Sequence, residues 1–294
     1  MDHPLQRIGN SLSANPKLGK FSRRGFMLAT ATLASCKAAT ALPGGAVKTS
    51  PNIAYRTPSI GGSVPRNDAG NFPSNFSKDA GITFSRVLVS GNYIAITFDD
   101  GPHPQNTPRL LDILAQRNIK ATFYVIGRSV DLHPGILRRT VAEGHEIGNH
   151  SHTHRLLSKL GDTEVRQEMQ RCQDAIGRAA GVRPRTMRPP YGGLLQRQRE
   201  MLHAEFGYPT ILWSVDPLDW QRPGPSVVTS RILTGTTAGG IVLAHDLHSQ
   251  TVDAMPATLD GLLKRGFKFV TVSQLIAMKV ETPEAQASNV PASS

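Results

Sequence analysis

The chain has 294 residues, 39% of them hydrophobic, enough to build a sizeable core in one large domain or two small ones without disulfide staples. Its two cysteines, Cys36 and Cys172, exclude a cysteine metal cluster and a dense disulfide framework. The formal charge of +11 falls to +7 once residues 1–35 are set aside, an excess suited to an anionic polymer or a lipid surface. The basic residues are scattered and lack nucleic-acid motif spacing, so nucleic acid is not the expected partner, and no protein partner is inferred.

Ser22–Leu28, with Arg23 and Arg24 side by side, leads into an apolar run through Leu33 that is too short for a retained membrane helix but right for an export signal. The paired arginines resemble a twin-arginine signal, and Leu33-Ala34-Ser35-Cys36 resembles a lipobox whose cysteine becomes the acylated first residue of the mature protein. The competing reading is cleavage after Ala41, which would release a soluble protein. The expected organisation is an export signal over 1–35, a Pro-, Gly-, Ser- and Asn-rich extension over 36–81, a folded domain over 82–280 and a disordered tail over 281–294. The expected location is the periplasm or cell envelope, with a lipid anchor on Cys36.

From residue 82 the pattern alternates. Ile82–Leu88 and Tyr93–Phe98 are apolar, β-rich runs around Ser90-Gly91-Asn92, a hairpin signal. Thr107 is the expected N-cap of a helix with Pro108 at its first position, Leu110, Leu111, Ile113 and Leu114 as its apolar stripe, and Asn118 as its stop. Strands then fall at 121–126, 146–148, 186–188, 210–215, 241–244 and 268–272, and helices at 134–143, 163–180, 194–206, 226–233 and 252–265. Cys172 lies within one of these helices and reads as a small buried hydrophobe. Repeated strand–helix units imply an α/β fold with a parallel sheet, open or closed into a barrel, a choice that pattern alone does not make.

Polar residues collect where such folds place their chemistry. Asp99, Asp100, His150, Arg188, Asp216 and His245 all sit at or just past C-terminal strand ends. Adjacent Asp99 and Asp100 point in opposite directions if both are in a strand, which suits them to different tasks. Alone, Asp-Asp-Gly is an ordinary polar turn. His150-Ser151-His152-Thr153-His154 changes the balance: in a helix, His150 and His154 would share a face and His152 would point away into a groove or the surface. Two imidazoles joined to one carboxylate make the open three-ligand arrangement of hydrolytic zinc sites. Such a cation lowers the pKa of water from ~15.7 towards ~7. A carboxylate and a histidine could then handle the two protons of an amide hydrolysis, and Asp99 and His245 fit those places.

Thr97–Pro102, His150–His154, Arg188–Gly192, Asp216–Trp220 and Ile241–Asp246 together resemble, in order, the five motifs of the polysaccharide deacetylases, the NodB-homology group known as carbohydrate esterase family 4. The resemblance covers roughly residues 85–278 and implies a distorted (β/α) barrel with fewer than eight regular units, about seven. By the same resemblance Asp99 is the general base and Asp100, His150 and His154 hold one divalent metal ion, with zinc expected and cobalt, nickel or manganese as alternatives. Arg188 would pair with Asp99, the Tyr191 N–H would assist the oxyanion, and His245 would be the general acid, oriented by Asp216. Trp220 and Leu243 would line an apolar pocket for the acetyl methyl group. Asp219 is left between groove and structural work.

The activity so implied is removal of N-acetyl groups from N-acetylglucosamine-type residues of peptidoglycan or a chitin-like polymer. An O-acetyl esterase on xylan-like polysaccharide is the alternative within the fold. Action on an exported biofilm polysaccharide is another, although the family members for that task show a permuted motif order. A non-catalytic sugar-binding lipoprotein is the alternative from a different class, and intact Asp99 and His245 speak against it, since binding needs neither base nor acid.

Overall fold

The computed structural model describes residues 81–280. The arginine pair, Cys36, the alternative cleavage position at Ala41, the extension and the tail lie outside the described residues. In chain order the elements are β1 (Thr83–Phe84), β2 (Tyr93–Asp99), α1 (Asn106–Ala115), β3 (Thr122–Val125), α2 (Gly127–Leu132), α3 (Pro134–Ala142), β4 (Glu146–Asn149) and α4 (Asp162–Ala180). They continue with α5 (Gln196–Phe206), β5 (Thr210–Ile211), α6 (Pro225–Gly235), β6 (Ile241–His245), α7 (Ser249–Lys264), β7 (Lys268–Phe269) and α8 (Val272–Ala277). Among the described residues no helix is long and apolar enough to cross a membrane.

β2 is the central strand. All its residues after Tyr93 are buried, as expected for a parallel strand covered on both faces. The parallel order is β4-β3-β2-β6, with β7 pairing the first residues of β2 and β1 pairing β5. Single parallel bridges, Asn149 to Met187, Met187 to Thr210 and Val215 to Val242, continue the pairing beyond the regular strands. Ile94, Ile96 and Phe98 point to one side, into a core shared with Leu110, Leu111 and Leu114 of α1 and Val252, Met255, Leu259 and Leu262 of α7. Ala95, Thr97 and Asp99 therefore face the other side, where Tyr124 and Arg188 are also buried.

Five local expectations are corrected. No hairpin joins residues 82–88 to β2, because β1 pairs in parallel with β5 and the intervening turn only changes direction. Residues 186–188 make bridges through Met187 rather than a regular strand, and β5 stops at Ile211. Thr107 does not cap α1: its hydroxyl accepts the His103 N–H at 2.7 Å and donates to Asp246. Helix α8 begins where a strand was expected to run on, because Thr271 and Gln274 form a capping box at its start. Cys172 is fully buried, and its thiol lies 3.4 Å from the Val125 carbonyl.

Candidate active site

Register fixes the first relationship. Asp99, the last residue of β2, stands opposite Tyr124 in β3 and His245 in β6. Asp100 leaves the strand with a left-handed backbone, φ 75°. That turn overrides the strand alternation expected for two adjacent aspartates and brings both carboxylates to the same imidazole. His150 Nε2 lies 3.7 Å from Asp99 Oδ2 and 3.4 Å from Asp100 Oδ1.

His150 and His154 are not on a helix. His150 follows β4 directly, and Ser151 and His154 adopt left-handed backbones, φ 63° and 61°, in an irregular loop. The loop nevertheless brings the rings together, with centroids 5.0 Å apart and His154 Nε2 3.1 Å from Asp100 Oδ1. His152 does not face a groove. It is buried under α2, where a Cβ on Gly127 would lie 2.3 Å from its Nδ1. Glycine is required there for close approach.

Asp100, His150 and His154 could hold a metal ion: one donor atom from each lies within 4.8 Å of the others. Two observations fit a cation. Asp100 Oδ1 is buried and has no hydrogen-bond partner. His150 Nδ1 lies 2.7 Å from the Arg188 carbonyl, which can only accept, so a proton sits on Nδ1 and Nε2, the nitrogen that could bind a cation once deprotonated, faces the carboxylates. Burial raises the Asp100 pKa, but the facing His150 and His154 outweigh it and hold the carboxyl well below the usual range.

Arg188 is the largest fully buried side chain of the domain. Its Nη1 donates to Asp99 Oδ1 and Thr97 Oγ1, both at 2.7 Å, while Nη2 and Nε donate to the carbonyls of Leu212 and Ile211 at 3.0 and 3.3 Å. The guanidinium also lies 4.3 Å from the Tyr124 ring centroid. Asp99 is thus held by one oxygen, and Oδ2 remains on the His150 side.

Asp219, not Asp216, orients His245. Asp219 Oδ1 lies 2.8 Å from His245 Nδ1, and Oδ2 accepts the His245 N–H and the Thr251 hydroxyl, each at 2.8 Å. Asp216 instead accepts the Leu218 N–H at 2.8 Å, closing a local turn. The short helical turn Asp219–Gln221, which follows Leu218 in a left-handed backbone, swings the second aspartate inward. Burial lowers the His245 pKa, yet Asp219 and the more distant Asp99 and Asp100 carboxylates raise it to about 9. Burial likewise opposes ionisation of Asp219, and His245 reverses the effect and lowers its pKa.

Tyr191 lies in a short turn after Arg188 with φ 60°, its ring mostly exposed and 4.8 Å from the His154 ring. Trp220 is half exposed beside Asp219, and Leu243 is buried two residues before His245, opposite Thr97. The structure adds residues that the sequence reading did not single out. Glu168 of α4 binds the 152–153 backbone, and Asp246 lies buried against Gly101 with its pKa raised by burial to about 7. Glu168 had a visible signal: a carboxylate on the apolar stripe formed by Val165, Met169, Cys172 and Ile176.

A parallel α/β fold that gathers an Asp-His-His set between a carboxylate and a histidine carries the parts of a metal-assisted hydrolase. The family model for polysaccharide deacetylase matches residues 88–211. A peptidoglycan-N-acetylglucosamine deacetylase of Listeria monocytogenes is 43% identical over 188 residues, 64% of this chain and 40% of its own length. A chitooligosaccharide deacetylase of Bradyrhizobium is 40% identical over 203 residues, 64% of this chain and 92% of its own length. The solved peptidoglycan deacetylase PdaC of Bacillus subtilis superposes with a TM-score of 0.60 at 36% identity, over 67% of this chain and 93% of that one. The chain belongs to the polysaccharide deacetylase family. It spans about two fifths of the length of the Listeria relative.

Proposed function

We propose that the protein is a metal-dependent hydrolase that removes N-acetyl groups from N-acetylglucosamine-type residues of a cell-wall polysaccharide, peptidoglycan or a chitin-like oligomer. The observation that carries this reading is the convergence of three ligand-type side chains with Asp99 and His245, which are register partners across the β2–β6 ladder. The named activities of the Listeria and Bradyrhizobium relatives support the choice of an acetylated amino sugar.

Asp100, His150 and His154 would hold a divalent cation, which when bound would supply Lewis acidity towards the acetyl carbonyl and the attacking water. Two imidazoles and a carboxylate suit zinc, and cobalt, nickel and manganese are its competitors. Asp99, anchored through Oδ1 by Arg188, takes the proton of the attacking water on Oδ2. The Tyr191 N–H, on the turn that follows Arg188, is the donor proposed for the developing oxyanion. His245 spends Nδ1 on Asp219 and gives its Nε2 proton to the departing amine nitrogen. Trp220, next to Asp219, and Leu243, two residues before His245, are the residues proposed to seat the acetyl methyl group.

Acetate release from acetylated glucosamine oligomers, peptidoglycan fragments and acetylated xylan, each with and without chelator, tests the reading. Release from the amino sugars that stops on chelation is expected. Release from xylan alone would make the protein an O-acetyl esterase, and release from none would leave a sugar-binding protein. Export and acylation of Cys36 belong to the same proposal, supported by the paired arginines and the lipobox-like run. A Cys36→Ser protein that still fractionates with membranes as wild type does would remove the lipid anchor from it.

A further inference from the structure

The loop that carries His154 has an unusual support. Between Ser151 and His154 the backbone takes two left-handed turns at non-glycine residues, a conformation that persists only where the surroundings fix it. Two helices do so. The first two N–H groups of α2, from Gly127 and Arg128, donate to the carbonyls of Ser151 and His152, each at 3.0 Å. From the other side Glu168 of α4 accepts the N–H groups of His152 and Thr153 on Oε2 at 3.0 and 2.7 Å, and the Thr153 hydroxyl on Oε1 at 2.7 Å.

Glu168 is buried, and these three donors are all from the ligand loop, so the carboxylate is fully committed to it. The remaining contacts within the loop are local: Ser151 donates its N–H to Asn149 Oδ1 at 2.9 Å, and its hydroxyl accepts the His154 N–H at 3.0 Å. Asn149 reaches α4 as well, through the Met169 carbonyl at 2.9 Å. Without a helix between His150 and His154, the relative position of the two rings depends on these anchors.

Resting on the reading of Asp100, His150 and His154 as metal ligands, we propose that Glu168 is a positioning residue for the metal centre: it clamps the 152–153 backbone so that His154 reaches the point shared with Asp100 and His150. Its carboxylate touches no reacting atom. Loss of the clamp lets the two strained residues relax, and His154 leaves that point.

The test is zinc affinity of the purified full chain, read by competition with a chromophoric chelator, alongside the thermal midpoint of the metal-free protein. Glu168→Ala is expected to weaken zinc about 10- to 100-fold, the range found when groups behind metal ligands are removed. Glu168→Gln is expected to stay within about three-fold of wild type, because its amide oxygen can accept both N–H groups while its NH₂ donates to a reversed Thr153 hydroxyl. A folded Glu168→Ala protein that binds zinc as tightly as wild type overturns the proposal, as does a Gln variant as weak as the Ala variant. If Glu168→Ala does not fold, Thr153→Ala decides: weaker zinc binding at an unchanged metal-free midpoint supports the clamp, and unchanged binding overturns it. A wild-type protein that fails to bind any divalent ion would sink the metal-centre reading itself, a result distinct from both.

Discussion

Asp219 holds His245 twice, accepting its ring Nδ1–H at 2.8 Å through one carboxylate oxygen and its backbone N–H at 2.8 Å through the other. The carboxylate is fully enclosed, and Thr251 takes part of its remaining capacity. This arrangement fixes both the tautomer and the direction of the imidazole, leaving Nε2 as the atom that can hand over a proton.

Asp219→Asn should lower kcat on the order of 10²- to 10⁴-fold, the range for a mispositioned or mis-tautomerised histidine acid. Asp216→Asn should cost far less, since its carboxylate only closes the turn at Leu218. Steady-state kinetics on acetylated glucosamine oligomers compare the two. A larger loss at Asp216 would overturn the assignment.

These two aspartates mark where sequence stops being legible. Asp99, Asp100, His150, Arg188 and His245 could be placed because each follows a strand pattern, and strand ends are where this class of fold gathers polar groups, but the same reasoning also placed Asp216, which only closes a local turn. Which of two aspartates three residues apart turns inward depends on the left-handed backbone at Leu218, a conformation that no residue type in the segment announces. The same holds at Ser151 and His154: helical spacing paired His150 with His154 by the wrong geometry, since the loop brings the two rings together through positive φ angles rather than through one turn of helix. The strands expected at 186–188 and 210–215 contain the pairing at Met187, Thr210 and Val215 but overrun it, as one or two residues of pairing leave no periodicity from which to read an extent.

Chelation should abolish acetate release, and added zinc should restore it. Asp100→Asn should lose the ion and the activity together, because it replaces a buried oxygen that has no protein hydrogen-bond partner. Asp99→Asn should instead keep metal content near wild type while turnover falls on the order of 10²- to 10⁴-fold. Metal analysis beside kinetics separates the two, and an Asp99→Asn protein as active as wild type would exclude it as the base.

Arg188→Met should destabilise the fold by about 3–5 kcal/mol, because it leaves Asp99 as a buried charge without its partner. Replacing both residues, Arg188→Met with Asp99→Leu, should recover part of the loss, since the penalty comes mainly from the orphaned carboxylate. Urea unfolding of the two proteins measures the difference. Equal stability of the single variant and wild type would mean that water reaches the pair.

The pH dependence follows from His245, whose pKa is raised from 6.5 to about 9. For the rate, the acid works while protonated, so activity should decline on an alkaline limb. A cation beside Asp100 would cancel part of the negative charge that helps raise the value, so the limb of a loaded enzyme should lie below about 9. In Asp219→Asn the limb should move down. For stability, a folded pKa above the unfolded one gives a contribution complete below 6.5 and lost as pH rises through about 9. Asp219, lowered from 3.8, adds the opposite boundary: its share is present above 3.8 and is lost as pH falls through the lower folded value. The difference in thermal midpoint between wild type and Asp219→Asn should therefore be widest between those limits and narrow as the pH approaches 9. A difference that stayed constant through that range would mean that the Asp219–His245 contact does not depend on the imidazolium charge.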